Sequence, residues 1–451
     1  MKSFLRKLVS RLSPAQIIVA YYFMAVTISM ILLSLPIALK PNVKWSFMDA
    51  LFTAVSAVSV TGLSTVSIVD TFTEKGIYIL MFVLQFGGIG VMTLGTFFWL
   101  ILGRKIGLRE RKLIMTDQNQ SSLSGLVNLL KQILFLIILI EIIGALILGT
   151  YFMNYYSSWE EAFLHGMFAS VSATTNAGFD ITGQSLVPFA NDYFVQLVSI
   201  ILIILGSIGF PVLVETKEYL LNRKNESKNH FTLNTKLTTI TFFGLLIFGT
   251  IGILVLEFNH FFKDKTWYES FFYAFFHSTT TKSAGLTTMD INQFSEPTQL
   301  FLSALMFIGA SPSSTGGGIR TTTFALNLLF FFHFARGNRS IKIFKRELHE
   351  EDIIKSLVVS MMALFICFTS LLILCITEDH SLLALIFEVS SAFGTTGLSL
   401  GITSDLSTIG KIIIMLLMFI GRVGMLTFLF IIGGKRVEPN FHYPKERVII
   451  G

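Results

Sequence analysis

The chain has 451 residues, 53% of them hydrophobic and only 14% charged, with a mean hydropathy of +0.70. A soluble domain carries about 25% charged residues, so most of this chain does not face water. The formal charge of +6 would suit a nucleic-acid surface, but its distribution along the chain reads as membrane topology instead. In chain order, apolar runs of bilayer-spanning length, about 20 residues, come in pairs around four short polar stretches. Spans at roughly 15–39, 132–153, 237–258 and 356–377 precede a stretch, and spans at 77–102, 194–215, 299–334 (interrupted) and 410–432 follow one. Eight spans put both termini on one side. The N-terminus, the loops 103–131, 216–236 and 335–355, and the C-terminus carry 25 of the 34 Lys and Arg, so that side is cytoplasmic by the positive-inside rule. The basic start MKSFLRKLVSRLSP is not read as a secretory signal, because the apolar run after it has helix length and no small-residue cleavage site. Cys367 and Cys375 lie in one apolar run and read as packing residues. The eight histidines show no metal-ligand spacing.

The four polar stretches are repeats: FTAVSAVSVTGL (52–63), FASVSATTNAGF (168–179), FFHSTTTKSAGL (275–286) and FEVSSAFGTTGL (387–398). Aligned on Gly62, Gly178, Gly285 and Gly397, each has a Phe ten residues earlier (Phe52, Phe168, Phe275, Phe387) and a hydroxyl residue six earlier (Ser56, Ser172, Thr279, Ser391). Each stretch starts apolar but is too short to span. A half-length helix followed by irregular backbone is tolerated at membrane depth only when buried in protein or facing water. Trp45, Trp159 and Trp267 stand where interfacial anchors belong. The fold expected is therefore all-α and integral to the membrane, with four parallel helix–pore loop–helix repeats around one pore and pseudo-fourfold symmetry. The units are 1–103, 104–223, 224–340 and 341–451, the last including a cytoplasmic tail.

The repeated glycine points to ion chemistry. An alkali cation in a narrow pore needs oxygens in place of its hydration shell, and carbonyls on a ring of four loops supply them. Turning those carbonyls to one axis requires backbone angles that glycine reaches without a Cβ clash. Small neighbours let the loops approach, and the half-helices aim their C-terminal partial negative charge at the centre. The candidate ion-binding residues are Val60, Thr61, Gly62, Asn176, Ala177, Gly178, Ser283, Ala284, Gly285, Thr395, Thr396 and Gly397. A single such glycine is more simply a close-packing residue; four in register argue for a filter. Asn176 breaks the pattern of Val60, Ser283 and Thr395. Lys282 is expected to point behind the loop, toward a carboxylate or carbonyls.

The span after the third repeat is broken by SPSSTGGGIRTTT, residues 311–323. Pro312 and three consecutive glycines do not remain helical cheaply. A polar segment at mid-membrane lines the pore or obstructs it, which makes Ser313, Ser314, Thr315, Gly316, Gly317 and Gly318 a candidate gate; the alternative is a static kink. A phosphate loop is disfavoured because no strand precedes the glycines and the P-loop lysine is missing. Arg422 lies inside the last span. Charge at that depth costs several kcal/mol unless paired. Its partners are carbonyls of the 311–318 loop or, alternatively, Glu141 or Glu257. Arg320 is expected near the cytoplasmic end of the loop.

Four filter glycines, the STGGGIRTTT break and Arg422 together resemble the Ktr/Trk/HKT superfamily of potassium transporters over nearly the whole chain. Eight spans and the ending YPKERVIIG look like the membrane subunit of a bacterial Ktr uptake system, of the KtrB/KtrD type. The resemblance implies potassium as transported ion, sodium as an activator, a homodimer in the plasma membrane, and a cytosolic nucleotide-binding RCK ring (KtrA/KtrC-like). No cofactor belongs to this chain, and nucleotide enters only through the partner. Members with serine at the first filter position resemble sodium carriers, so Gly62 favours potassium. A sodium-coupled symporter with alternating access is the alternative, although inverted repeats would then be expected. An enzyme lacks a convergent set of His, Asp or Cys within the spans.

Overall fold

The computed structural model describes residues 14–90, 125–221, 231–338 and 340–432, with the isolated residues 111, 115, 444 and 446. Most of the expected basic loop 103–131, the end of the 77–102 span, the first thirteen residues and most of the tail lie outside these, while 126–131 already belong to a helix. Each unit opens with a long apolar helix: α1 (Pro14–Leu33), α4 (Leu126–Phe152), α8 (Leu233–Glu257) and α12 (Glu350–Thr377). All four are long and apolar enough to cross a membrane. Their outward faces stay apolar and exposed, as at Ile142 and Leu146, Ile251 and Val255, and Phe365 and Phe368. That is the pattern of a surface solvated by lipid rather than water.

A pore helix follows in each unit: α2 (Phe47–Ser59), α5 (Trp159–Thr175), α9 (Trp267–Thr280) and α13 (Leu382–Gly394). Each starts at a hydroxyl N-cap (Ser46, Ser158, Thr266, Ser381), which satisfies donors that the first turn leaves unpaired. Trp159 and Trp267 open their helices as exposed rings, whereas Trp45 is half-buried and donates to Ser34 Oγ at 3.0 Å. Only the first two therefore fit the anchor expectation.

The second helices are α3 (Glu74–Ile89), α6 (Tyr193–Ser207), α10 (Glu296–Ile308) and α14 (Thr408–Val423). None reaches the roughly 20 residues a span needs. The expectation that only the third is interrupted is wrong. Gly90, Gly209 and Gly424 take φ of 92°, 104° and 90°, three residues after Gly87, Gly206 and Gly421. Past two of these breaks the chain resumes as α7 (Phe210–Leu221) and α15 (Met425–Ile432), with a bend of 102° between α6 and α7. The third unit widens the same joint into the loop before α11 (Thr321–Ala335).

The units close on themselves. Each second helix packs against the pore helix of the next unit: α3 on α5, α6 on α9, α10 on α13, and α14 back on α2. That cyclic order is the pseudo-fourfold arrangement expected from the repeats. A two-stranded hairpin, 342–343 with 346–347, is the small departure from an all-helical fold.

Candidate functional site

The four pore helices end on one ring. Val60, Asn176 and Thr395 cap their helices in the left-handed region, with φ of 58°, 55° and 47°, and Ser283 has φ 80°. Left-handed backbone at a β-branched Val or Thr is costly, about 1–3 kcal/mol, and persists only where the surroundings impose it. Two residues on, Gly62, Gly178, Gly285 and Gly397 also have positive φ, 92°, 69°, 72° and 94°. A Cβ on Gly62 would stand 2.6 Å from Ala177 O, and one on Gly178 would stand 3.0 Å from Ala284 O. One on Gly285 would run into Thr396 O, and one on Gly397 into Thr61 O. So each glycine faces the carbonyl that precedes the glycine of the next unit, and the cycle closes. The twelve filter candidates therefore come together in one place. Above the ring, a vestibule of about 410 Å³ is lined by Gly62, Gly397 and the hydroxyls of Ser64, Thr65, Ser67 and Ser399.

Hydroxyls brace the loops. Ser56 Oγ and Ser391 Oγ accept from Gly62 N at 3.1 Å and Gly397 N at 3.0 Å, while Ser172 Oγ donates to Phe179 O at 2.6 Å. In the third unit the expected register is off by one. Thr280, not Thr279, donates to the loop, at Leu286 O and 2.7 Å, and Thr279 turns back to Phe275 O. Phe276 rather than Phe275 is fully buried like Phe52, Phe168 and Phe387. This unit has one residue fewer between brace and filter, and its pore helix ends at Thr280. Lys282 occupies the shortened turn. It is fully buried, and its Nζ has no hydrogen-bond acceptor among the described residues; neither the carboxylate nor the carbonyls expected are in reach.

The 311–318 loop lies against the ring on the side away from the vestibule. A Cβ on Gly316 or Gly317 would stand 2.5 Å from Ser283 Cβ or 2.6 Å from Thr395 Cγ2. Ser283 Oγ accepts from Gly317 N at 3.2 Å and donates to Thr395 O at 2.7 Å. The Asn176 amide meets Thr315 Oγ1 at 2.7 Å and Ser207 N at 3.2 Å, and with its oxygen toward them it donates to Ala173 O at 3.0 Å. The loop also knits into the break of the second unit, with Ser311 N on Ser207 O at 3.1 Å, Thr315 N on Gly206 O at 3.2 Å and Phe210 N on Ser313 O at 2.8 Å. The departure of Asn176 from its counterparts thus has a structural use: it ties ring to loop.

Arg422 donates to Thr315 O and Gly87 O, and to Gly88 O at 3.3 Å. The carbonyl expectation holds, and Gly87 adds a partner from the first unit. Glu141 instead accepts from Gln85 Nε2 at 2.7 Å, and Glu257 holds Ser295 Oγ at 2.6 Å. Arg320, beyond the loop's three glycines, folds back onto Gly316 O and, at 3.4 Å, Ser311 O. Sequence reasoning passed over Arg320 as a site residue. Its signal was a cation directly after three glycines inside an apolar span.

Residues 6–433 match the family model TrkH, described as a cation transport protein. This chain belongs to that family. It is 65% identical to the Ktr system potassium uptake protein D of Bacillus subtilis over 445 residues, covering 99% of each chain. It is 34% identical to the potassium/sodium uptake protein NtpJ of Enterococcus hirae, covering 100% of this chain and 99% of that one. The crystal structure of the potassium transporter TrkH from Vibrio parahaemolyticus shares the fold, with TM-score 0.70 and 19% identity, over 91% of this chain and 84% of that one. The family is one of multi-pass membrane transporters rather than enzymes, and the Ktr/Trk resemblance of the motifs is borne out.

Proposed function

We propose that this chain is the membrane subunit of a potassium uptake system, and that potassium crosses through the ring of four glycine loops. The observation that carries the reading is the closed cycle in which each glycine abuts the carbonyl before the next. Four adjacent loops with small residues and left-handed backbone turn carbonyl oxygens toward one axis, where they replace water around a dehydrated cation. The pore helices end at that ring, so their partial negative charge favours a cation there. The filter residues are Thr61, Ala177, Ala284 and Thr396 with their glycines, backed by Val60, Asn176, Ser283 and Thr395.

The loop 311–318 is the gate. It lies across the ring's inner side and is held by Arg422 and Asn176, so uptake requires it to move. The chain works as a homodimer in the plasma membrane with both termini cytoplasmic. A cytosolic RCK-type ring regulates it through the basic cytoplasmic loops, and nucleotide acts only through that partner. Sodium serves as an activator. Nothing in this chain hydrolyses nucleotide, so the driving force is the ion's own electrochemical gradient.

The test is rubidium uptake into proteoliposomes holding this chain alone, beside a variant lacking residues 313–318. Deletion of a gate raises flux at least about tenfold, an equilibrium shift of about 1.4 kcal/mol, with potassium still preferred over sodium. If the deletion abolishes flux, the loop belongs to the transport step itself and sodium-coupled symport with alternating access takes the place of the gated pathway.

A further inference from the structure

Two guanidiniums, not one, hold the 311–318 loop. Arg422 reaches it from α14 of the fourth unit and takes Thr315 O, together with Gly87 O and Gly88 O of the first. Arg320 is the N-cap of α11. It turns back and takes Gly316 O and Ser311 O. Thr315 and Gly316 are consecutive, so adjacent carbonyls of one loop are held by arginines from different units. Both side chains line the same cavity of about 130 Å³, with Ser313, Ser314 and Gly318.

Two like charges in one small cavity repel each other, and that is a poor way to stabilise a static kink. The oxygens make the arrangement intelligible. Backbone carbonyls at membrane depth, three on Arg422 and two on Arg320, are the ligand type that alkali cations take. A guanidinium donating to them is a tethered cation in the place of a diffusible one.

We propose that Arg320 is a second latch on the gate, and that the carbonyls of Gly87, Gly88, Ser311, Thr315 and Gly316 form a cation site. The two guanidiniums fill it when the loop is closed, and a permeating potassium ion uses it when they withdraw. This rests on the gate reading above. Repulsion between the arginines strains the closed state and so lowers the cost of the first release. The ion arriving from the filter adds to that repulsion and then finds the oxygens that the guanidiniums release.

The experiment compares rubidium uptake by full-length wild type, Arg320→Ala, and the 313–318 deletion, each with and without millimolar guanidinium ion on both faces. Hydrogen bonds to charged groups are strong enough that losing this pair raises flux by about tenfold in Arg320→Ala. Free guanidinium then restores the missing cation and brings that flux back down. It leaves wild type unchanged, and also the deletion, which has lost two of the carbonyls. Flux in Arg320→Ala at the wild-type level, or raised flux that guanidinium does not lower, overturns the proposal. If the deletion itself fails to raise flux, the gate reading falls instead. Should Arg320→Ala not yield a monodisperse protein, Arg320→Gln replaces it with the same expected rise and the same guanidinium reversal.

Discussion

At Gly285, flanked by Thr396 O and by Gly178 Cα and Gly397 Cα at 3.1 Å from a would-be Cβ, an added methyl group has nowhere to go. It would also hold an alanine at φ 72°, a conformation costing about 1–2 kcal/mol for a residue with a Cβ. Gly285→Ala should therefore cut potassium flux at least about tenfold, one decade per 1.4 kcal/mol, or erase the preference over sodium; ion competition in proteoliposomes checks this. Asn176 offers a cleaner dissection. Asn176→Gly keeps the left-handed backbone available but removes the amide that meets Thr315 and Ser207. One lost hydrogen bond is worth about 1 kcal/mol, so basal rubidium flux should rise about fivefold with the filter's preference intact. Unchanged flux would mean that the amide braces the ring and not the loop.

The elements were legible in proportion to how uniquely their residues could be aligned. Gly62, Gly178 and Gly397, each preceded at fixed distance by Phe and Ser, allowed one register. In the third unit FF and TTT offered two, and the glycine anchor selected Phe275 and Thr279 where packing uses Phe276 and Thr280. The breaks at Gly90, Gly209 and Gly424 were hidden because hydropathy counts a bent helix and a straight one alike. Another shared device was invisible in sequence. Glu378, just past α12, accepts from Ser407 N at 2.9 Å and from Ser407 Oγ, 2.5 Å away, at the start of α14, as Glu257 does with Ser295 in the third unit. Burial pushes the Glu378 carboxyl up, but the Ser407 side chain, the Ser407 amide and Thr377 outweigh it and hold the carboxyl below its usual range. A lowered folded-state pKa gives stability that is present above the unfolded value and lost as pH falls through the folded one. Glu378→Gln should thus lower the melting temperature at pH 7 and little at pH 3, shrinking the acid-side loss seen in wild type. An equal drop at both pH values would show that the carboxylate's charge is not what matters.

For the whole molecule, the cyclic packing of each second helix on the next pore helix is what turns four weakly similar stretches into one site. The symmetry was readable because the glycines recur at nearly constant spacing. Its completeness was not, since closure of α14 on α2 depends on packing rather than on any motif. The orientation expected from the basic loops is open to a direct check. In a variant lacking Cys367 and Cys375, a cysteine at exposed Ser404 should react with an impermeant thiol reagent from outside, and one at exposed Glu351 only from the cytoplasmic side. The reverse pattern would invert the topology. The most direct measurement of all is anomalous diffraction from crystals of this protein grown in rubidium or thallium. Density on the axis among the carbonyls of Thr61, Ala177, Ala284 and Thr396 is the result expected. An ordered ion elsewhere in the membrane region, with that axis empty, would contradict a filter made of the four glycine loops.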